Sequence, residues 1–379
     1  MSVLTILVGI PSSGKTTAAQ QRVAERDSLY LSSDLLGRDS AGDLAAKDRN
    51  HLIYEAAKPK LIDAMREGRS IVLDSAYRVP KYRKPYLDLA KQHGYRTEAI
   101  FINVPLEHAL EQNNKRADEN GQAVSEAVIR RYERLLQIPT YPEGFDRIEV
   151  RTNEQVHDEA AAFFHENEQR LIDDPVAMIR RLEADGRLER WLPELHRAIP
   201  IDQHNPHHRF TIYEHILKAS EAMQGTNLKL VWTILLHDIG KAYPGIKQFT
   251  GMMTDTYGLF KKKDRVVIEN GADIREGRDS GEFYVVQGTK IPREYVQTNL
   301  AGHFYDHENL GAQMAFRILT RFGYPHDLAL DVATLVQFHM VMPREIEKAD
   351  LAQITKFYQK VGNYAGELMM VRLADDRGK

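Results

Sequence analysis

Hydrophobic positions in the N-terminal part of the chain switch repeatedly between two periods. Residues 3 to 8 (VLTILV) form a continuous apolar, β-branched run ending at Gly9, and an Ala/Gln/Arg-rich helical pattern follows from Lys15 to Arg26. The alternation recurs with a strand at 29–31, a helix at 47–67, strand Ser70 to Leu73, helix 80–93, strand Thr97 to Val104 and helix 106–117. A last helical run, Ser125 to Gln137, leads through Pro139, Pro142 and Gly144 to strand Arg147 to Val150. Strands alternating with helices predict an α/β unit with a parallel, doubly wound sheet, closing near residue 153. Residues 154–200 read as a charged helical connector, broken at Pro175 and Gly186. From 201 to 379 long helical patterns predict an all-α domain, interrupted at about 243–300 by a glycine-rich insert. Arg265 to Glu269 and Glu282 to Gln287 read there as strands of a small β-hairpin insert.

Composition narrows this picture. At 379 residues the chain exceeds one ordinary core, and 42% hydrophobic with 28% charged residues describes a globular protein. A formal net charge of -3 gives no basic field for wrapping long nucleic acid, so any such contact must be local. No apolar stretch approaches the ~20 residues of a membrane span, and the opening run has no basic leader, so the expectation is a cytoplasmic protein without membrane contact. The absence of cysteine excludes disulfides, thiolate metal sites and cysteine nucleophiles.

Two motifs carry chemistry. The first is Gly9-Ile-Pro-Ser-Ser-Gly14-Lys15-Thr16 between a predicted strand and helix, the context that makes a phosphate-binding P-loop credible. Backbone N–H groups of the loop from Gly9 to Gly14, Pro11 excepted, the hydroxyls of Ser12, Ser13, Thr16 and Thr17, and the helix N-terminus would converge on phosphate. Lys15 would neutralise the β and γ phosphates of ATP and Thr16 would help hold Mg2+. Asp34 follows the second strand, where a carboxylate serves equally well as a general base or as a helix cap. The second motif is His215, then Leu-Leu-His237-Asp238-Ile-Gly-Lys241 ending an apolar helix, then His307, His339 and Asp375. An ionised carboxylate on a buried helix needs a partner, and imidazole with carboxylate suits one or two Mn, Ni, Co, Fe or Zn ions.

The series GIPSSGKT, SSD, IVLDS at 71 to 75, Asn113/Arg116 and PTYPEGFD resembles the kinase domain of phage-type polynucleotide 5'-kinases over about residues 1–150. The resemblance implies Asp34 as base for a 5'-hydroxyl, Asp74, Ser75 and Arg38 at the acceptor, and Arg116 as the lid arginine that meets transition-state charge. The chain departs from that pattern with Gly37 where the family carries an arginine, Arg38 standing one residue later, and with Gln112-Asn113 where Arg-Asn is usual.

The order H...HD...HxxxGA...H...D resembles the HD phosphohydrolase superfamily over about 204–379. By that resemblance His215, His237, Asp238 and Asp375 hold one metal, and Asp238 bridges to a second held by His307 and His339. Two ions ~3.5 to 4 Å apart would acidify a bound water and clamp phosphoryl oxygens. Lys241 would face the phosphate, and His303 would contact substrate or cap its helix. Asn205-Pro-His207-His208 through His215 resembles the segment before the first ligand in HD domains of the tRNA nucleotidyltransferase type. Lys261 to Lys263 fit a phosphate-backbone contact or a solvated loop.

Kinase plus HD domain resembles bacterial HD-Pnk end-healing proteins. That implies ATP-dependent 5'-OH phosphorylation and metal-dependent removal of 2',3'-cyclic, 2' or 3' phosphate at RNA or DNA ends, with a ligase acting next. Two other readings stay open: a small-molecule or nucleoside kinase fused to a nucleotide phosphohydrolase, and a nucleotide-sensing module.

Overall fold

The structure, a computed structural model, describes residues 2–32, 46–75, 77–121, 123–205, 208–255, 265–268, 283–286, 289–292, 296–298, 301–343 and 348–379. Asp34, Gly37, Arg38, His207 and the Lys261 to Lys263 run lie outside the described residues.

Strands β1 (Val3–Gly9), β2 (Leu29–Ser32), β3 (Ile71–Asp74), β4 (Arg96–Ile102) and β5 (Arg147–Arg151) form a sheet in the order β2-β3-β1-β4-β5. Every pairing is parallel, and the register sets Leu4 of β1 between Ile71 of β3 and Thr97 of β4. Central β1 is buried from Leu4 onward, which is why its sequence reads as one apolar run rather than an alternation. Its polar members are compensated: Thr5 donates to Glu98 at 3.1 Å, and Glu98 faces Arg22 at 3.4 Å and Arg147 at 3.1 Å. Helices α1 (Lys15–Arg26), α2 (Ala46–Arg66), α3 (Pro80–Gln92), α4 (Leu106–Asn120) and α5 (Glu126–Leu135) connect the strands.

Two element ends fall short of the hydrophobic pattern. β4 stops at Ile102 instead of Val104; at Asn103 the N–H still bonds the Arg151 carbonyl of β5 at 2.8 Å, while the side chain donates to the Gln313 carbonyl at 3.1 Å and accepts from Arg317 at 2.7 Å. α5 stops at Leu135 instead of Gln137, because the Gln137 N–H bonds the Arg78 carbonyl and the Ile138 N–H bonds Gln337 at 2.6 Å. Tertiary partners claim backbone groups that local pattern assigns to the helix.

The C-terminal region is helical: α6 (Asp158–Glu166), α7 (Glu168–Asp173), α8 (Pro175–Ala184), α9 (Arg187–Trp191), α10 (Pro193–His196), α11 (Ile212–Glu221), α12 (Leu228–Leu236), α13 (His307–Arg321), α14 (His326–Phe338), α15 (Leu351–Val361) and α16 (Ala365–Arg377). Helix α12 is buried from Leu230 to Leu236, as its all-round apolar sequence requires. The charged segment after residue 154 contributes Phe164 and Trp191 to the same core, with the Phe164 ring 5.2 Å from Trp232 and 4.4 Å from Phe322. In the insert, β6 (Gln248–Asp255) pairs antiparallel with β7 (Arg265–Ile268), β10 (Val296–Thr298) and β11 (Ala301–His303), and β8 (Phe283–Val286) pairs with β9 (Thr289–Pro292).

Arg83 of α3 is fully buried and fixes the chain beyond α5. It forks onto Glu143 at 2.6 and 2.7 Å and donates to the carbonyls of Tyr77 at 2.8 Å and Gln137 at 3.1 Å. Arg83→Met leaves a nearly buried carboxylate unpaired, so a loss of about 3–5 kcal/mol is expected, read as a lower urea midpoint. Arg83→Lys should recover little, since an ammonium cannot span the same fork.

Candidate functional sites

The first site grows from the end of β1. Gly14 caps α1 with φ 96, a left-handed conformation that side-chain-bearing residues resist, and the turn brings the amides at the helix N-terminus to one point. Ser12 also sits at φ 60. Lys15 Nζ lies across the loop, donating to the Ile10 carbonyl at 2.6 Å. Thr16 Oγ1 donates to Asp74 at the end of β3 at 2.8 Å, placing a hydroxyl and a carboxylate side by side where P-loop chemistry holds Mg2+. Tyr30 donates to the same Asp74 oxygen at 2.8 Å, a positioning contact that spacing along the chain could not disclose. Ser13 is buried in the loop, Thr17 is exposed on the first turn of α1, and Ser75 is half-buried directly after Asp74.

Asn113 acquires a clear structural role. It accepts from Ser12 at 3.2 Å and from the Val124 N–H at 2.9 Å, and donates to the Val124 carbonyl at 2.9 Å, tying the loop to the α4–α5 connection. Arg116, one turn further along α4, is exposed.

The second site is a buried cage built from the ends of α11, α12, α13, α14 and α16. His215, His237, Asp238 and Asp375 bring one ligand atom each within 4.8 Å of one another, and Asp238, His307 and His339 do the same. Every imidazole is held by the same device: Nδ1 lies on a backbone carbonyl, Gly378 for His215 at 2.9 Å, Ile234 for His237 at 2.7 Å, Phe304 for His307 at 2.7 Å and Val336 for His339 at 2.6 Å. A carbonyl accepts, so each Nδ1 carries the proton and each Nε2 turns a lone pair inward.

Those inward nitrogens meet head on. His215 and His237 Nε2 are 3.2 Å apart, as are those of His307 and His339. Asp238 Oδ2 lies 3.1 Å from His215, and its Oδ1 lies 3.3 Å from His307 and 3.5 Å from His339. Asp375 Oδ1 is 3.1 Å from His215. Lone pairs facing lone pairs and carboxylates at such distances require a cation or a proton between them. Donors about 3.0–3.4 Å apart are what a metal with ~2.1 Å bonds demands of adjacent ligands. The residues therefore fit one or two divalent ions. Without an ion a proton takes that place: burial alone would lower His215, but hydrogen bonds to Asp238 and Asp375 outweigh it and raise its pKa to about 9.

Lys241 is buried beside the cage, donating to Asp238 at 2.6 Å and to Gln203 at 3.1 Å. With His237 it helps hold the Asp238 carboxyl well below its ordinary pKa against the opposing effect of burial. Gly240 makes this packing feasible, because a Cβ there would lie 2.0 Å from the His307 carbonyl oxygen. Asp306 precedes His307 at φ 66, a strained backbone that Asp tolerates better than most residues. A cavity of about 370 Å3 opens over the cage, lined by Gln203, His208, Lys241, His303, Tyr305 and His307. His303 does not cap α13, whose cap is Asp306, but ends β11 with its ring stacked on Tyr305, centroids 5.4 Å apart. Gln203 and His208, the latter 5.6 Å ring to ring from His215, are site residues to which the sequence pattern assigned no role.

Residues 4–139 match the family model described as an AAA domain. The chain is 26% identical over 147 residues, 38% of its length and 32% of the relative's, to the bifunctional polynucleotide phosphatase/kinase of Schizosaccharomyces pombe. It is 26% identical over 209 residues, 53% of its length and 35% of the relative's, to the A-adding tRNA nucleotidyltransferase of Deinococcus radiodurans. A shorter stretch of 70 residues, 18% of the chain and 17% of the relative, is 41% identical to the multifunctional CCA protein of Azoarcus sp.. The chain thus spans about a third of the length of the first two of these curated relatives. Among the described residues no helix is long and apolar enough to cross a membrane. The N-terminal region is a P-loop kinase domain, and the chain as a whole is a composite, similar to polynucleotide phosphatase/kinases and to tRNA nucleotidyltransferase and CCA proteins.

Proposed function

We propose that this chain heals nucleic-acid ends, phosphorylating 5'-hydroxyls with ATP in its P-loop domain and removing 2',3'-cyclic, 2' or 3' phosphates in a metal-dependent HD domain over residues 201–379. The observation that carries the second activity is the position of Asp238, whose two oxygens face two separate imidazole sets. Such a carboxylate suits a bridge between two ions, and bound ions would supply an acidic water and neutralise phosphoryl charge. The likeness to a polynucleotide phosphatase/kinase and to a tRNA nucleotidyltransferase supports nucleic acid as the substrate of both sites.

In the kinase step Asp34 takes the proton of the 5'-hydroxyl, whose oxygen forms a bond to the γ-phosphorus as the bridging bond to ADP breaks. Lys15 and Arg116 would meet the charge that develops on the transferred group, while Thr16 and Asp74 would hold Mg2+. At the HD site His215, His237, Asp238, Asp375, His307 and His339 would hold the metals, with Lys241 beside Asp238 to orient it.

Label from γ-labelled ATP is expected to appear on 5'-OH oligonucleotides, with kcat reduced on the order of 10²–10³-fold in Lys15→Ala and also lost in Asp34→Ala. Oligonucleotides ending in 2',3'-cyclic phosphate should be opened and dephosphorylated with Mn2+ or Ni2+, and Asp238→Ala should abolish this while kinase activity survives. Transfer to metabolites alone, with none to any oligonucleotide, would refute the reading. Loss of both activities in either single variant would argue against two separate sites.

Metal binding has its own readout. Ions that bind only the folded chain at 100 times Kd stabilise it by about 2.7 kcal/mol. Added Mn2+ or Ni2+ should therefore raise the thermal midpoint by several degrees in the wild type and little in His237→Ala, and chelation should reverse the rise.

A further inference from the structure

A second cavity, of about 340 Å3, lies beside the P-loop rather than the histidine cage, lined by residues of α2, the end of β3 and α3. Its walls are Tyr54, Tyr77, Tyr82 and Tyr86, with Ser75 at one end and Lys81 on the rim. Ser75 directly follows Asp74, whose carboxylate accepts from Thr16 of the P-loop at 2.8 Å. The cavity therefore opens at the carboxyl edge of the sheet, where ligands of open α/β sheets bind, next to the hydroxyl and carboxylate that would hold Mg2+.

Four tyrosines in one wall are unusual for a site meant to receive an anionic metabolite, which calls for guanidinium or ammonium groups. The rings are braced edge to face, Tyr54 on Tyr86 with centroids 5.1 Å apart and Tyr77 on Tyr86 at 5.2 Å. Tyr77 and Tyr86 are buried and form the floor, while Tyr54 and Tyr82 are half-buried. Arg78 lies 5.7 Å from the Tyr82 ring centroid and 4.7 Å from that of Tyr132 on α5. Burial raises the Tyr77 and Tyr86 phenols above their ordinary pKa, Tyr86 to about 12, so these two rings stay uncharged at neutral pH. A predominantly aromatic pocket, with Lys81 and His51 also in its lining, at the lower end of ligand-site volumes suits a flat π-system.

We propose that this tyrosine-lined cavity is the acceptor subsite of the kinase and that it holds the terminal nucleobase of a 5'-hydroxyl end by stacking against Tyr82. This rests on the kinase reading given above and specifies how its acceptor is recognised. Stacking is tolerant of base identity, since every base presents a π-face, so the subsite should discriminate nucleosides from non-aromatic metabolites more strongly than one base from another.

Kinetics on the full chain test the assignment. Tyr82→Ala should raise the KM for a 5'-OH oligonucleotide about tenfold or more and leave the KM for ATP unchanged, while Tyr82→Phe should behave like the wild type. An oligonucleotide with an abasic 5'-terminal residue should show a similar KM penalty with the wild type, a measurement that needs no folded variant. With Tyr82→Ala the abasic substrate should lose nothing further, because the stacking partner is already gone; a merely structural role for Tyr82 would leave the abasic penalty intact. Equal KM values for abasic and normal ends with an active wild type would overturn the subsite and leave the kinase reading standing. Label transfer only to acceptors without an aromatic base would overturn both.

Discussion

The structure depends on an electrostatic constraint at Asp238. A carboxylate this deeply buried is costly unless positive charge faces it; Lys241 donates to it, and the inward Nε2 atoms of His215 and His307 lie so close to it that a cation or a proton must sit between them. Those nitrogens can serve only because each Nδ1 is pinned by a carbonyl near the end of a helix. The cage thus requires the helix ends to stop where they do. The all-round apolar α12 sets His237 at its own end, and Gly240 lets the following turn lie directly on the backbone of His307. Packing, chain termination and charge compensation are one requirement met by the same few residues.

That requirement extends into the P-loop region through polar contacts. Gln313 of α13 donates to the carbonyls of Glu133 at 2.9 Å and Leu136 at 3.2 Å, Tyr243 donates to Glu133 at 2.7 Å, and Arg134 pairs with Asp306 at 3.0 Å. Asp306 immediately precedes His307, so the strained turn that presents a cage imidazole is also a contact with α5. Buried, mutually satisfied polar groups specify one relative arrangement more strictly than apolar contact would. Burial raises the pKa of Glu133 even though Tyr243 donates to it.

Much of this was legible in the sequence, and the missing parts share a cause. The parallel strands and their helices followed from period switching, because β1, β3 and β4 are buried on both faces and read as apolar runs. The cage residues were legible because metal-binding types recur at a recognisable order. Element ends at Asn103 and Gln137 were not, since their side-chain or backbone partners lie far away in the chain. Tyr30, Gln203 and His208 escaped for the same reason: each acts through a neighbour that only folding supplies. The tyrosine cavity is the extreme case, for Tyr54, Tyr77, Tyr82 and Tyr86 come from two helices and the loop between β3 and α3, with no motif spacing to join them.

The two sites also differ in how they meet solvent, and the difference follows from what each must hold. Thr16 and Arg116 are exposed and Lys15 is half-buried, which suits a nucleotide that must enter and leave in every cycle. His215, His237 and Asp238 are almost wholly buried, and a donor set withdrawn from water suits ions that stay bound between turnovers. On the proposed function, a phosphate ester would need to reach only the cavity above the cage, which Lys241, Gln203 and His208 line. On the same reading, burial of the cage would favour an ion that is retained, and openness of the loop a nucleotide that is exchanged.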